Sequence, residues 1–124
     1  MSRLMSVAYT EQAVVERRKT VTRRAGWVFL KPGDRLTLCR KVMGRKKGEP
    51  LVRVAEVEVL DVRRERLGQL LIDPAYAARE LVAEGFPGLP ASEFIGRYFT
   101  DAQGITPADM VTRIEWRYLD GDLA

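Results

Sequence analysis

Histidine is absent from this sequence of 124 residues, and cysteine occurs once, at Cys39. Without histidine there is no Ser-His-Asp or Cys-His arrangement and no His-containing zinc site. One cysteine excludes an internal disulfide and any multi-cysteine zinc or iron–sulfur site. No metal and no cofactor is expected, and any chemistry falls to Lys, Thr, Ser, Tyr, Arg, Asp or Glu. Long hydrophobic runs are also missing: nothing approaches the ~18–20 apolar residues that a membrane helix needs. The first residues, Met1-Ser2-Arg3-Leu4-Met5-Ser6-Val7-Ala8, lack the apolar core of a signal peptide. These absences predict a cytoplasmic protein with no membrane partner, in which a lone thiol stays reduced.

What is present is ordinary in amount and uneven in placement. The hydrophobic share of 46% and charged share of 31% suit a globular chain, and the length suits a single domain over residues 1–124. The net charge is +4, yet residues 1–50 carry +9 and residues 51–124 carry −5. A basic half of this kind predicts an anionic partner, most simply RNA or a nucleotide.

The periodicities predict an α+β chain. Leu4–Ala8 reads as a short strand, and Thr10 as the cap of a helix from Glu11 to about Arg18. Thr20-Val21-Thr22 is β-branched and extended. Lys31-Pro32-Gly33-Asp34 is a turn that opens a strand from Arg35 to Val42. The polar loop Gly44–Pro50 leads to a strand over Leu51–Val62, whose apolar alternation changes phase near Val54-Ala55 and predicts a bulge. Asp73-Pro74 marks the start of a helix that Gly85 ends after Glu84. Ser92–Phe99 reads as a further helix, and Met110–Leu119 as the last strand. The sum is a small, strongly bent β-barrel of about five or six strands with two or three short helices.

The densest polar cluster is Glu16-Arg17-Arg18-Lys19-Thr20-Val21-Thr22-Arg23-Arg24, where the first helix hands over to an extended segment. On a strand, Thr20, Thr22 and Arg24 share a face. Lys19 joins them only if the chain turns at the helix end. A lysine among hydroxyls and guanidinium groups suits a phosphate or a polar base edge, and a desolvated lysine also activates a hydroxyl nucleophile. Arg45, Lys46 and Lys47 form a basic hairpin tip suited to phosphate contacts. Among the aromatics, Trp27 is the stronger candidate for stacking on a base, with Phe29 and Tyr76 behind it. Trp116 falls in the core phase of its strand.

The run Arg18-Lys19-Thr20-Val21-Thr22-Arg23-Arg24 resembles the signature segment of ASCH domains, of the PUA-like superfamily. The likeness continues in Leu30–Leu36, in Ala83-Glu84-Gly85-Phe86 with Glu93-Phe94, and in Val111–Tyr118. The chain is similar to small ASCH proteins from bacteria and phages. The resemblance implies a PUA-like barrel with a cleft for RNA or a nucleotide, lined here by Lys19, Thr20, Thr22, Arg24 and Glu84 and flanked by Arg18. One branch of ASCH proteins hydrolyses acetylated cytidine. By that likeness Thr22 would be the nucleophile, Lys19 the base, Glu84 its orienting or acid group, and Arg24 the substrate holder. Arg23 stands where that branch carries an apolar residue, and the basic loop Met43–Pro50 is longer than in that branch. Three functions follow in order: an RNA- or nucleotide-binding module, an amidohydrolase of a modified nucleoside such as N4-acetylcytidine, and a protein-interaction module.

Overall fold

The computed structural model of the protein describes residues 2–119. The chain runs through β1 (Arg3–Ser6), a 3-10 turn at Ala8–Thr10, α1 (Glu11–Val15), β2 (Val21–Arg24), β3 (Arg35–Cys39) and β4 (Arg53–Arg66). It continues through α2 (Gln69–Ile72), α3 (Pro74–Glu84), α4 (Ala91–Ile95), a π-helical turn at Gly96–Thr100, α5 (Asp101–Gln103) and β5 (Met110–Tyr118).

The five strands form one mixed sheet in the order β1-β3-β4-β5-β2. β1 runs parallel to β3, and the other neighbours are antiparallel. β4, with 14 residues, is long enough to pair first with β3 and then with β5. Two bulges bend it. One is at Val54, passed over between the Leu38–Ala55 and Cys39–Arg53 pairs, where the sequence changes phase. The other is at Leu60, between the Val59–Trp116 and Asp61–Glu115 pairs. Each inserted residue kinks the strand and increases its twist, so the sheet rolls into a half-barrel. This is the α+β, PUA-like small-barrel architecture.

The roll encloses Met5, Val14, Leu36, Leu38, Val57, Val59, Ile114 and Trp116, all nearly inaccessible to water. A second core, Leu67, Leu70, Leu81, Phe94, Ile95, Phe99 and Val111, lies among α2–α4 and the start of β5. The edges of the sheet, β1 and β2, come together without pairing. Arg24 Nη2 instead donates to the Ser6 carbonyl at 2.7 Å, so a side chain closes the seam.

Several boundaries differ from the sequence reading. α1 stops at Val15 because Arg17 takes a left-handed φ of 61°. Ala13 O then accepts from both Arg18 N and Lys19 N, a helix stop that glycine more often makes. β3 ends at Cys39, three residues early, and β4 runs four residues beyond Val62 because β5 supplies a partner up to Arg66. The helix expected over Ser92–Phe99 begins at Ala91 and breaks into a π turn after Ile95, and the one-turn α2 had no apolar period to announce it. α3 fits its signals. Asp73 caps it by accepting from Ala75 N and Tyr76 N, and Gly85 ends it at φ 96°. Any Cβ at Gly85 would also sit 3.1 Å from Ala13 Cβ, so glycine there lets the end of α3 approach α1. Among the described residues no helix is long and apolar enough to cross a membrane.

Candidate functional site

The left-handed turn at Arg17 swings Lys19 inward, and the end of α3 brings Glu84 to meet it. The backbone of the junction is pinned from three sides. Thr20 N donates to Ala83 O at 2.8 Å, Trp116 Nε1 donates to Lys19 O at 3.0 Å, and the Tyr118 hydroxyl donates to the same carbonyl. Lys19 is 2% exposed. Its Nζ donates to Glu84 O at 2.6 Å and to Glu84 Oε1 at 3.3 Å. Burial lowers the Lys19 pKa to about 8; the Glu84 carboxylate opposes the fall, while Arg24 and Arg23 add to it. Desolvation therefore outweighs the ion pair, which moves the amine's titration from the alkaline range to just above neutral pH.

Thr22 and Arg24 follow on β2. Thr22 is buried, and its Oγ1 accepts from Arg24 Nε at 3.1 Å, which leaves the hydroxyl proton for a further acceptor. Burial holds the Arg24 guanidinium below its ordinary pKa, with Glu84 pulling the other way.

Lys19, Thr22, Arg23, Arg24 and Glu84 all line one cavity of about 170 Å³ at the seam between β1 and β2. The same cavity is also lined by aromatic residues, with Phe86, Phe94, Tyr98 and Phe99 from the helical segments and Tyr9 from the 3-10 turn. Phe86 and Tyr98 lie 4.7 Å apart between centroids, and Tyr9 and Tyr98 lie 5.1 Å apart. An engineered cavity of about 150 Å³ holds one benzene ring, so this one has room for a single six-membered ring with its substituents at the mouth. The arrangement offers a stacking surface to the face of such a ring and hydrogen-bond donors to its edge.

Behind the cavity lies a set of buried charges that sequence reasoning did not assemble. Arg23 Nε donates to Glu65 Oε1 at 2.7 Å and Arg23 Nη1 to Glu84 Oε2 at 3.0 Å, while Nη2 reaches Glu80 and the Tyr76 hydroxyl. Arg113, opposite Arg23 on β5, clasps both Glu80 oxygens at 2.6 and 3.0 Å. Burial opposes the charge of Arg23, but Glu84, Glu65 and Glu80 outweigh it and hold its pKa above the ordinary value. Burial likewise favours neutral Glu80, but the hydrogen bonds from Arg113 and Arg23 prevail and bring it down to about 2. In the alternation of β5, Arg113 falls in the opposite phase to Ile114 and Trp116, and periodicity along the strand carries no sign that α3 covers that face.

The other expected site residues lie elsewhere. Thr20 does not line the cavity; its backbone is used instead to join α3 and β5. Arg18 points outward and pairs with Glu16. Trp27 packs against the barrel core and beside Phe29, because a large apolar ring gains more from that burial than from facing water. Tyr76 lies outside the cavity lining, with its hydroxyl bonded to Glu65, Arg23 and Arg63 in the charge network. Arg45, Lys46 and Lys47 are exposed on the β3–β4 loop, outside the cavity. The aromatic lining had a visible signal in the sequence, four aromatic residues from Phe86 to Phe99. Among the described residues no group of three or more His, Cys, Asp or Glu is placed to hold a metal ion.

No family model matches the chain, and no curated protein matches it. Solved structures do. A DUF984 protein from Enterococcus faecalis superposes with a TM-score of 0.66 at 14% identity, covering 96% of this chain and 80% of that one. The ASCH domain from Lactobacillus crispatus gives 0.60 at 9% identity, covering 94% of this chain and 79% of its own. A mutant of ZmASCH from Zymomonas mobilis gives 0.56 at 11% identity, with coverage of 96% and 75%. At these identities the likeness is one of architecture, and it agrees with the bulged, seam-closed sheet described above: the chain has the fold of the ASCH domain.

Proposed function

We propose that the cavity binds a single base, presented by RNA or by a free nucleoside. The observation that carries this reading is the mixed lining, in which the adjacent rings of Phe86 and Tyr98 can meet the face of one ring and Lys19, Thr22 and Arg24 its polar edge. The size supports one base and leaves a ribose or a strand outside. The exposed Arg45, Lys46 and Lys47 would add phosphate contacts that fade with salt. Titration of the protein with cytidine, N4-acetylcytidine and a short single-stranded RNA tests the reading, with amide and side-chain NMR shifts as the readout. Saturable shifts at Lys19, Thr22 and Tyr98, lost in Tyr98→Ala, are expected. If none of the three compounds moves those signals, the site is not a base-binding site.

A second reading, hydrolysis of an acylated nucleoside, is favoured by one observation: a buried amine with a pKa near 8 shares the cavity with a buried hydroxyl. In that reaction Thr22 Oγ1 attacks the amide carbonyl carbon and passes its proton to Lys19 Nζ. Arg24 faces the developing oxyanion. The C–N bond then breaks as Lys19 returns the proton to the leaving amine, and water cleaves the resulting threonine ester. Thr22→Ala is expected to abolish turnover of N4-acetylcytidine without loss of fold. Turnover that survives the change eliminates this nucleophile.

A further inference from the structure

Lys19 and Arg23 share one carboxylate, and they share it unequally. Glu84 Oε2 lies 3.0 Å from Arg23 Nη1, whereas Oε1 lies 3.3 Å from Lys19 Nζ. The shortest bond of Lys19, at 2.6 Å, goes to the uncharged carbonyl of Glu84. A neutral amine keeps two N–H groups, enough for both of these acceptors, and its third position becomes a lone pair. We propose that Arg23 is a positioning residue for Lys19: by holding the Glu84 carboxylate, it frees the Lys19 amine to give up its proton and present a lone pair to the cavity. What the amine then does rests on the hydrolytic reading above.

Arg23 suits this task because its charge is permanent and its place is fixed. Glu65, Glu80 and Tyr76 take its remaining donors, Arg113 braces Glu80, and the Tyr76 hydroxyl braces Glu65. The charged and titratable groups that face Lys19 are Glu84 from α3, Arg23 and Arg24 from β2, and the Tyr118 hydroxyl of β5 on its backbone carbonyl. Two cations against one anion disfavour a third positive charge. Without Arg23 the balance is one to one, and Lys19 becomes the remaining charged partner of Glu84.

The test is the titration of Lys19 in the ligand-free protein, followed through the 13Cε signal of labelled lysine and assigned with Lys19→Met. Arg23→Met is expected to raise the midpoint by about one pH unit, a tenfold loss of neutral amine at fixed pH. Arg23→Lys keeps the charge and is expected to retain most of the native midpoint. Arg23→Met combined with Glu80→Gln removes one charge of each sign from the network; it replaces the single variant if that one does not fold, and the same rise is expected. A midpoint that stays or falls in the Met variant, or an Arg23→Lys shift as large as that of Arg23→Met, overturns the proposal. No nucleoside takes part in this measurement. Failure to bind a base would therefore remove the functional reading and leave the role of Arg23 to be decided by the titration alone.

Discussion

Lys19 and Arg23 stand four residues apart, one just before β2 and one within it, and both are buried, yet their surroundings differ. Around Arg23 the account is closed: three carboxylates and a phenol meet its guanidinium, and Arg113 completes the group. Around Lys19 it stays open: one carboxylate at 3.3 Å, one carbonyl, and a cavity. Burying a charge costs several kcal/mol unless partners restore what water gave. A saturated group returns that cost as fixed geometry. An incompletely matched group keeps part of it as a displaced pKa, which is the form that proton transfer uses. The two corners show how one short segment carries a charge saturated by partners and, four residues before it, one whose pKa burial has displaced.

The sharpest way to break this comparison is to remove a partner from the saturated corner. Glu80→Leu leaves Arg23 and Arg113 facing each other without the carboxylate between them, and it is expected to destabilise the fold by roughly 3–5 kcal/mol. Urea unfolding at neutral pH measures this, and a loss under about 1 kcal/mol would show the network to be idle. Glu80 also supplies an acid-sensitive term. Its folded-state value of about 2 lies below the ordinary 4.5, so its contribution is whole above about pH 4.5 and is lost as pH falls toward 2.

The open corner is expected to respond with the same sign, stability rising with pH, but in the alkaline range. The folded-state Lys19 value of about 8 lies below the ordinary 10.5. Between these values the unfolded chain still holds a proton that the folded chain has released, so stability rises with pH across that window. Relative to Lys19→Met, the native protein should gain about 3 kcal/mol from pH 8 to 10.5, at about 1.4 kcal/mol per unit. Parallel unfolding curves for the two proteins across this range would close the distinction between the corners.

A smaller effect is expected on the aromatic side of the cavity. Tyr98→Ala removes part of the stacking surface and should weaken base binding by about 1–3 kcal/mol, read by calorimetry. Reversing Arg45, Lys46 and Lys47 to Glu is the mildest change. Stability should move by less than about 0.5 kcal/mol, since these side chains are exposed, while RNA affinity falls and its salt dependence flattens. An unchanged salt slope would assign the basic loop no part in binding.

The elements that local chemistry controls were legible before the fold. Asp73-Pro74 and Gly85 delimit α3, because a cap, a fixed φ and a missing Cβ act within a few residues. The phase change at Val54 marks a bulge, because side chains alternate wherever a strand runs. The bulge at Leu60 was not legible, since an extra residue is defined only against the partner strand β5. The cluster Lys19, Thr22 and Arg24 was legible as chemistry on one short segment, and Glu84 entered through a resemblance. The fates of Trp27 and Tyr76 depended on what lay across from them.

By itself the sequence determined an α+β chain without histidine chemistry, a basic first half, and a polar junction between helix and strand, since composition and periodicity act along the chain. Only the tertiary structure decided that Arg23 and Arg113 are roofed by α3, that β1 and β2 meet at a seam closed by Arg24, and that aromatic residues some seventy positions away line the same cavity as Lys19. Those facts depend on which surfaces exclude water from one another, and that is settled where distant segments meet.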